Sequence, residues 1–460
     1  HSFIRLNVPK LQLLVVAPRN AQISWDEEVF ACLGRQKSVV RLEGGRERIR
    51  AKLANNPEIA IITYQQLLNT EDLIVEFMLD RKIHLVLDES HRIKAGNLSR
   101  QGEIALSLSP LAFRRDIISG KPMPQGLSDM RSQMEFLWPG NNPIPPQGQL
   151  DAEQEKLTDS RDKLRPYFVR TTKSELNLPD PILSIRRIEM GPTQQAVYEG
   201  MRATFADQFS ILNSHDGAFA DLAKQVVRMI MFCSDPGVFF RRLKKTDPQL
   251  AAQFPADLEL EQSAKLYELD RIVTRVVEQQ GSKVVIWSSF IDVIEMIESR
   301  YSRFDAVSIH GGIGTSDDPN DIESRESRIK KFKEDQNCKV LVANPAACGE
   351  GISLHQTAHD AVYIDRNFNA AHYLQSIDRI HRRGLSPGVA TNIYVLCYLN
   401  SIDEAVESRL KKKIAAMEAV LNDSSISKLI YEPEDLESFS SGVEELDFDD
   451  FREIVGNLDR

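Results

Sequence analysis

Short, almost wholly apolar runs recur along this chain at intervals long enough to hold a helix, and they constrain the fold more than any single motif. Leu11-Gln-Leu-Leu-Val-Val-Ala17, Ile59-Ala-Ile-Ile62 and Ile83-His-Leu-Val-Leu87 read as buried strands, with Arg115-Asp-Ile-Ile118 a weaker fourth. A strand that is apolar on both sides must be covered on both faces, which helices above and below a parallel sheet achieve. The alternation breaks at the proline- and glycine-rich segment Trp138–Gly148, and Gln194–Phe240 reads as helical with mixed faces. It returns at Lys283–Trp287, Ala306–Ile309, Cys338–Ala343, Ala361–Ile364 and Asn392–Leu396, and Ile402–Leu421 reads as a closing helix. The expected class is α/β: two parallel-sheet lobes with a helical insertion between them.

At 460 residues the chain has room for two or three domains. Its apolar runs are far too short to cross a bilayer, so no membrane partner is expected. No secretory signal is visible, and a chain that opens on His1 is expected to lack its natural amino terminus. The cysteines Cys32, Cys233, Cys338, Cys348 and Cys397 are scattered and form no C-x-x-C pair, which suits a reducing cytoplasm rather than zinc or a disulfide framework.

The net charge of −10 is unevenly placed. Between Glu432 and Arg460 eleven acids face two bases, a net of −9 that leaves −1 for everything else. The acidic balance therefore belongs to a tail and does not argue against a nucleic-acid groove in the body. A tail of that composition is expected to be flexible, with a protein-partner role open to it.

Two clusters carry chemistry. Val86-Leu-Asp88-Glu89-Ser90-His91 sets paired carboxylates directly after an apolar run. At the carboxyl end of a parallel strand, side chains project into the crevice where open α/β sheets bind ligands. The pair suits a magnesium ligand and a base that orients water in nucleoside triphosphate hydrolysis. It would equally suit the capping of a helix amino terminus.

Far downstream, Gln375-Ser-Ile-Asp378-Arg379-Ile-His-Arg382-Arg383-Gly384 reads as helical. There Arg379 and Arg382 share a face and can meet one anionic target, such as a γ-phosphate. The alternative is a basic face packed on carboxylates. Gly349-Glu350-Gly351-Ile-Ser353-Leu354 follows a strand, and its glycines permit close backbone approach to a phosphate or simply a tight turn. Clusters about 290 residues apart imply an ATP site assembled from two lobes of a nucleic-acid motor.

These blocks, in their order, resemble the Swi/Snf-type ATPases, the double-stranded-DNA translocases of helicase superfamily two. The resemblance rests on Val15-Val-Ala-Pro18 with Trp25 and Glu28, Ile62-Thr-Tyr64, Asp88-Glu-Ser-His91-Arg-Ile-Lys94 and Ser119-Gly-Lys-Pro-Met-Pro124. It continues through Phe168-Val-Arg170-Thr-Thr-Lys173 with Leu178-Pro179, Gln195 and Tyr198, Trp287-Ser-Ser-Phe290, Ile309-His-Gly311 and Asp365-Arg-Asn-Phe-Asn369.

The resemblance implies two RecA-like lobes that use ATP and Mg2+ on double-stranded DNA. In it Asp88 holds magnesium and Glu89 positions the water. His91 couples the lobes, Gly349, Gly351 and Gln375 serve the nucleotide, and Arg379 and Arg382 complete the site. Pro18, Arg19, Thr63, Tyr64, Lys94, Ser289, His310, Gly311 and Asn344 would line a DNA groove whose contacts are largely sequence-independent.

The expected domains are residues 1–180 and 261–421 as the two lobes, 181–260 as helical protrusion, and 422–460 as tail. The chain departs from the family in lacking a GxxxxGK[ST] phosphate loop, which would lie upstream of His1. Lys121 also stands where the family has threonine. Two readings stay open: a translocase, free-standing or the engine of a defence or restriction assembly, and a DNA-binding scaffold that has lost turnover. The compartment is expected to be the cytoplasm, at the nucleoid or in the nucleus according to the source.

Overall fold

The computed structural model describes residues 1–19, 21–33, 39–120, 129–144, 164, 167, 169, 178–211, 218–314, 321, 323–348, 352–382, 384–385 and 388–421. The chain divides into two compact units, one built mainly of His1–Val169 and the other mainly of Arg170–Glu418. Each contains one all-parallel sheet, as the apolar runs predict.

In the first unit the strands are β1 (Gln12–Ala17), β2 (Val39–Arg41), β3 (Ile59–Thr63), β4 (Ile83–Asp88) and β5 (Arg114–Ile118). Their spatial order is β2-β3-β1-β4-β5, so the most apolar strands occupy the middle. Register runs Leu14 to Leu85 on one side of β1 and Leu14 to Ala60 on the other.

Because side chains alternate across a strand, β1 supplies both layers of the core. Leu14 and Val16 join one cluster with Leu67, Ile74, Phe77, Leu85 and Leu108. Leu13, Val15 and Ala17 join the other with Val29, Ile61 and Val86.

In the second unit β6 (Ile182–Ile188), β7 (Val284–Trp287), β8 (Val307–Ile309), β9 (Val340–Ala343), β10 (Asp360–Tyr363) and β11 (Asn392–Tyr398) are ordered β6-β11-β10-β7-β9-β8. Every side chain of β7, β9 and β10 is buried. The region expected to be helical holds the helices Pro192–Ile211, Ala218–Ser234 and Pro236–Thr246.

One segment assigned to the helical protrusion is instead an edge strand. Residues 182–188 pair along β11 from Ile182–Asn392 to Ile188–Tyr398. Its alternation of half-exposed residues and arginines hides it from a search for apolar runs.

Helix starts follow capping chemistry. Thr63 Oγ1 accepts from Gln66 N at 3.0 Å, Ser99 Oγ from Gly102 N at 3.1 Å, and Asn369 Oδ1 from His372 N at 3.0 Å. Asp235, followed by Pro236 at the first helical position, accepts from Val238 N at 2.8 Å. Among the described residues no helix is long and apolar enough to cross a membrane.

Candidate functional site

Strand β4 ends at Asp88, beside β1 in the middle of the first sheet. Its half-buried carboxylate is held in place: Trp25 Nε1 donates to Oδ2 at 2.8 Å and the Glu89 amide to Oδ1 at 2.9 Å. Beneath it, the Tyr64 hydroxyl donates to the Asp88 carbonyl at 2.8 Å.

Glu89 has φ 48 and ψ 51, the left-handed region that a non-glycine residue enters at a cost. It precedes the 3-10 turn Ser90–Ile93 but makes no side-chain cap bond to it, which disfavours the capping alternative. Instead its Oε2 lies 3.2 Å from His91 Nδ1, which is also 3.4 Å from Ser119 Oγ. Ser90, fully buried, anchors the turn through its bond to Gln133 Oε1 at 2.7 Å.

Strained backbone held this way by surrounding bonds is found where a side chain must be aimed. Among the described residues no cluster of three or more acidic, histidine or cysteine side chains offers a complete metal cage. Mg2+ typically takes one or two carboxylates and draws its other ligands from water and substrate phosphate. Asp88 therefore fits such a site.

In the second unit the helix Ala370–Ile380 carries Gln375, buried, and Arg379. The helix ends at Ile380, and His381 has φ −128. Arg382 therefore lies beyond it, which corrects the expectation that Arg379 and Arg382 share a helix face. The two differ in contacts as well as place. Arg379 Nη1 donates to the Ile352 carbonyl at 3.1 Å, and its own carbonyl accepts from Leu354 N at 2.8 Å. Arg382 is exposed. Gly349, Gly351, Arg383, Lys121 and the blocks Phe168 and Arg170–Lys173 lie outside the described residues.

The expected groove residues are unlike one another. Pro18 is buried at the end of β1, while Arg19 beside it is exposed. Thr63, half-buried, caps the helix that follows it, and Tyr64 is buried under Asp88. Lys94 is half-buried, its carbonyl accepting from Ser132 Oγ at 3.1 Å.

Ser289 is clamped from both sides. Its amide donates to Asp365 Oδ1 at 2.7 Å and its carbonyl accepts from Asn344 Nδ2 at 2.9 Å. Asn344 Oδ1 in turn accepts from Ala346 N at 2.8 Å. His310 is nearly buried, with Nδ1 accepting from Gly312 N at 3.2 Å, and Gly311 is exposed with open space where a Cβ would stand.

Sequence reasoning missed the polar framework behind these loops. Asp365 is 2% exposed and also accepts from Ser288 Oγ at 2.6 Å and Ser234 Oγ at 3.1 Å. Burial pushes its pKa up, against the pull of those hydrogen bonds. Arg366 and Glu407 form a buried ion pair, and Lys265 Nζ meets Asp403 Oδ2 at 2.7 Å with neither exposed. The available signal was positional: Asp365 follows its strand as Asp88 ends β4.

Two parallel sheets in tandem, an acid pair at a strand end in the first and a glutamine-arginine helix in the second, define the helicase-like class. The SNF2-related domain matches residues 8–237 and the helicase conserved C-terminal domain residues 264–384. The chain belongs to the SNF2-related family, and its sheets are the two RecA-like lobes of that family.

It is 26% identical to Protein CHROMATIN REMODELING 4 of Arabidopsis thaliana, over 82% of this chain and 17% of that protein. It is also 26% identical to an uncharacterized ATP-dependent helicase of Mycoplasma pneumoniae, over 88% of this chain and 36% of that one. The Sulfolobus solfataricus SWI2/SNF2 ATPase core in complex with dsDNA is similar at 18% identity and a TM-score of 0.40, over 92% of this chain and 85% of that one. The chain thus spans well under half the length of the two curated relatives.

Proposed function

We propose that this chain is the motor of an ATP-dependent translocase on double-stranded DNA. The observation that carries the reading is the strand-end acid pair, with Glu89 held in a strained backbone conformation beside His91. Such an arrangement suits a carboxylate aimed at a reacting water rather than one that completes a turn. Relatives named as ATP-dependent helicases and chromatin remodellers agree with it.

In this reading Asp88 holds Mg2+, which when bound would neutralise charge on the phosphates of ATP. Glu89 accepts a hydrogen bond from the attacking water, orients it and takes its proton as the base. Trp25 and Tyr64 prevent the Asp88 turn from shifting. Arg382, exposed and beyond the helix, meets the terminal phosphate; Arg379 braces the segment Ile352–Leu354.

Arg19 and Lys94 of the first unit, with Ser289, Gly311 and Asn344 of the second, would meet the phosphodiester backbone. Pro18, Thr63, Tyr64 and His310 serve this surface from below, as supports. The helices between Pro192 and Thr246 would form the helical protrusion of the motor.

The test is ATP turnover by the full-length polypeptide with and without duplex DNA, alongside DNA affinity at rising salt. Duplex should stimulate turnover, and affinity should fall steeply with salt as backbone contacts release counterions. Affinity that ignores salt would remove the DNA surface. Salt-sensitive binding without turnover would leave a scaffold.

A further inference from the structure

Arg382 opens a tight turn that closes through Leu385 N to the Arg382 carbonyl at 3.2 Å. At the third position Gly384 has φ +97, a conformation that favours glycine. A second constraint acts on the same residue: a Cβ built there would stand 2.9 Å from His355 Nε2. The turn therefore rests directly on the edge of an imidazole.

That imidazole is itself held. Ser353 Oγ lies 2.8 Å from His355 Nδ1, which sets the ring's rotation. The segment carrying both residues is fastened to the end of the helix by the two bonds between Arg379 and Ile352–Leu354. Burial and then the positive charge of Arg382, with smaller effects from His359 and Lys333, lower the pKa of His355, so the ring is neutral at neutral pH.

We propose that His355 is a positioning residue for Arg382: its ring, turned by Ser353, is the seat on which the Arg382–Leu385 turn is built. This rests on the reading of Arg382 as the residue that meets the terminal phosphate. His355 touches no reacting atom. It fixes where the guanidinium starts from, and a neutral ring does so without repelling it.

The measurement is DNA-stimulated ATP turnover in the full-length polypeptide, with KM for ATP and thermal unfolding measured beside it. His355→Ala should lower kcat by about a hundredfold, the scale expected for a displaced catalytic group, with KM and unfolding temperature little changed. His355→Gln, whose terminal amide can reach the Nε2 position beneath Gly384 but offers nothing to Ser353, should recover only part of the loss. His355→Phe fills the same space but cannot bond Ser353, and should not recover it.

Combined with Arg382→Ala, His355→Ala should add nothing, because a residue that acts through another is silent once that one is gone. Additive losses, or wild-type kcat in either His355→Ala or His355→Phe, would overturn the inference alone. Absence of turnover in the unaltered protein would overturn the functional reading together with it.

Discussion

Asp88 and Asp365 begin from the same local situation and end in opposite ones. Each stands at the carboxyl end of a buried parallel strand, where α/β sheets bind ligands. Asp88 is half-buried, with Trp25 and one backbone amide orienting its carboxylate. Asp365 is sealed and accepts from two serine hydroxyls and the Ser289 amide. The first unit leaves its strand-end acid half-exposed. The second uses the equivalent acid to tie together the loops that follow β7 and β10 and the end of the helix Ala218–Ser234. An acid at a strand end is therefore a candidate, and its burial decides between chemistry and scaffold.

The largest expected effect lies on the exposed side of this contrast. Arg382→Ala should slow ATP hydrolysis by about three to five powers of ten, as removal of an arginine finger does. Arg379→Ala should slow it far less and lower stability, since Arg379 braces Ile352. A steady-state assay that finds Arg382→Ala within threefold of wild type would reduce it to a structural residue.

Next, Asp365→Ala should destabilise the fold by about 3 kcal/mol, because it leaves buried donors without an acceptor. Asp88→Ala should stay within about 1 kcal/mol in the same urea titration while abolishing turnover. Equal destabilisation by the two would erase the distinction between them.

A smaller effect tests the contrast through pH. Burial raises the pKa of Asp365 in the folded state, so the folded chain holds that proton more tightly than the unfolded chain does. Its contribution to stability is greatest below the unfolded pKa and falls as pH rises through the folded one.

Asp116 of the first unit behaves the other way. Burial opposes it, but bonds from His84 at 2.7 Å and Arg114 at 2.9 Å carry its pKa down. Its contribution is present above the unfolded pKa and is lost as pH falls through the folded one. Unfolding of Asp365→Asn and Asp116→Asn across the acidic range should therefore diverge from wild type with opposite slopes. Parallel slopes would contradict the assignment.

The smallest effect belongs to the surface. Arg46, whose exposed pairing with Asp72 is open to solvent, should tolerate alanine with no shift in the unfolding midpoint beyond scatter.

The apolar strands and the acid pair were legible because burial on both faces leaves a continuous run of large aliphatic residues, and Asp88-Glu89 ends such a run. β2 escaped because it has three residues, and β6 because an edge strand with Arg186 and Arg187 half in solvent carries no run. The arginine face was misread because the helix stops at Ile380, where the turn at Gly384 and its seat on His355 follow. A buried charge such as Asp365 gives no pattern of its own: its partners Ser234, Ser288 and Ser289 come from distant segments, joined only by the fold.

Glu89 is the residue on which the proposed hydrolysis depends. In the full-length polypeptide with duplex DNA, Glu89→Gln should keep nucleotide binding and lose ATP turnover to background, because the amide cannot take the water's proton. Turnover undiminished in Glu89→Gln would show that the strand-end acids do not perform the hydrolysis.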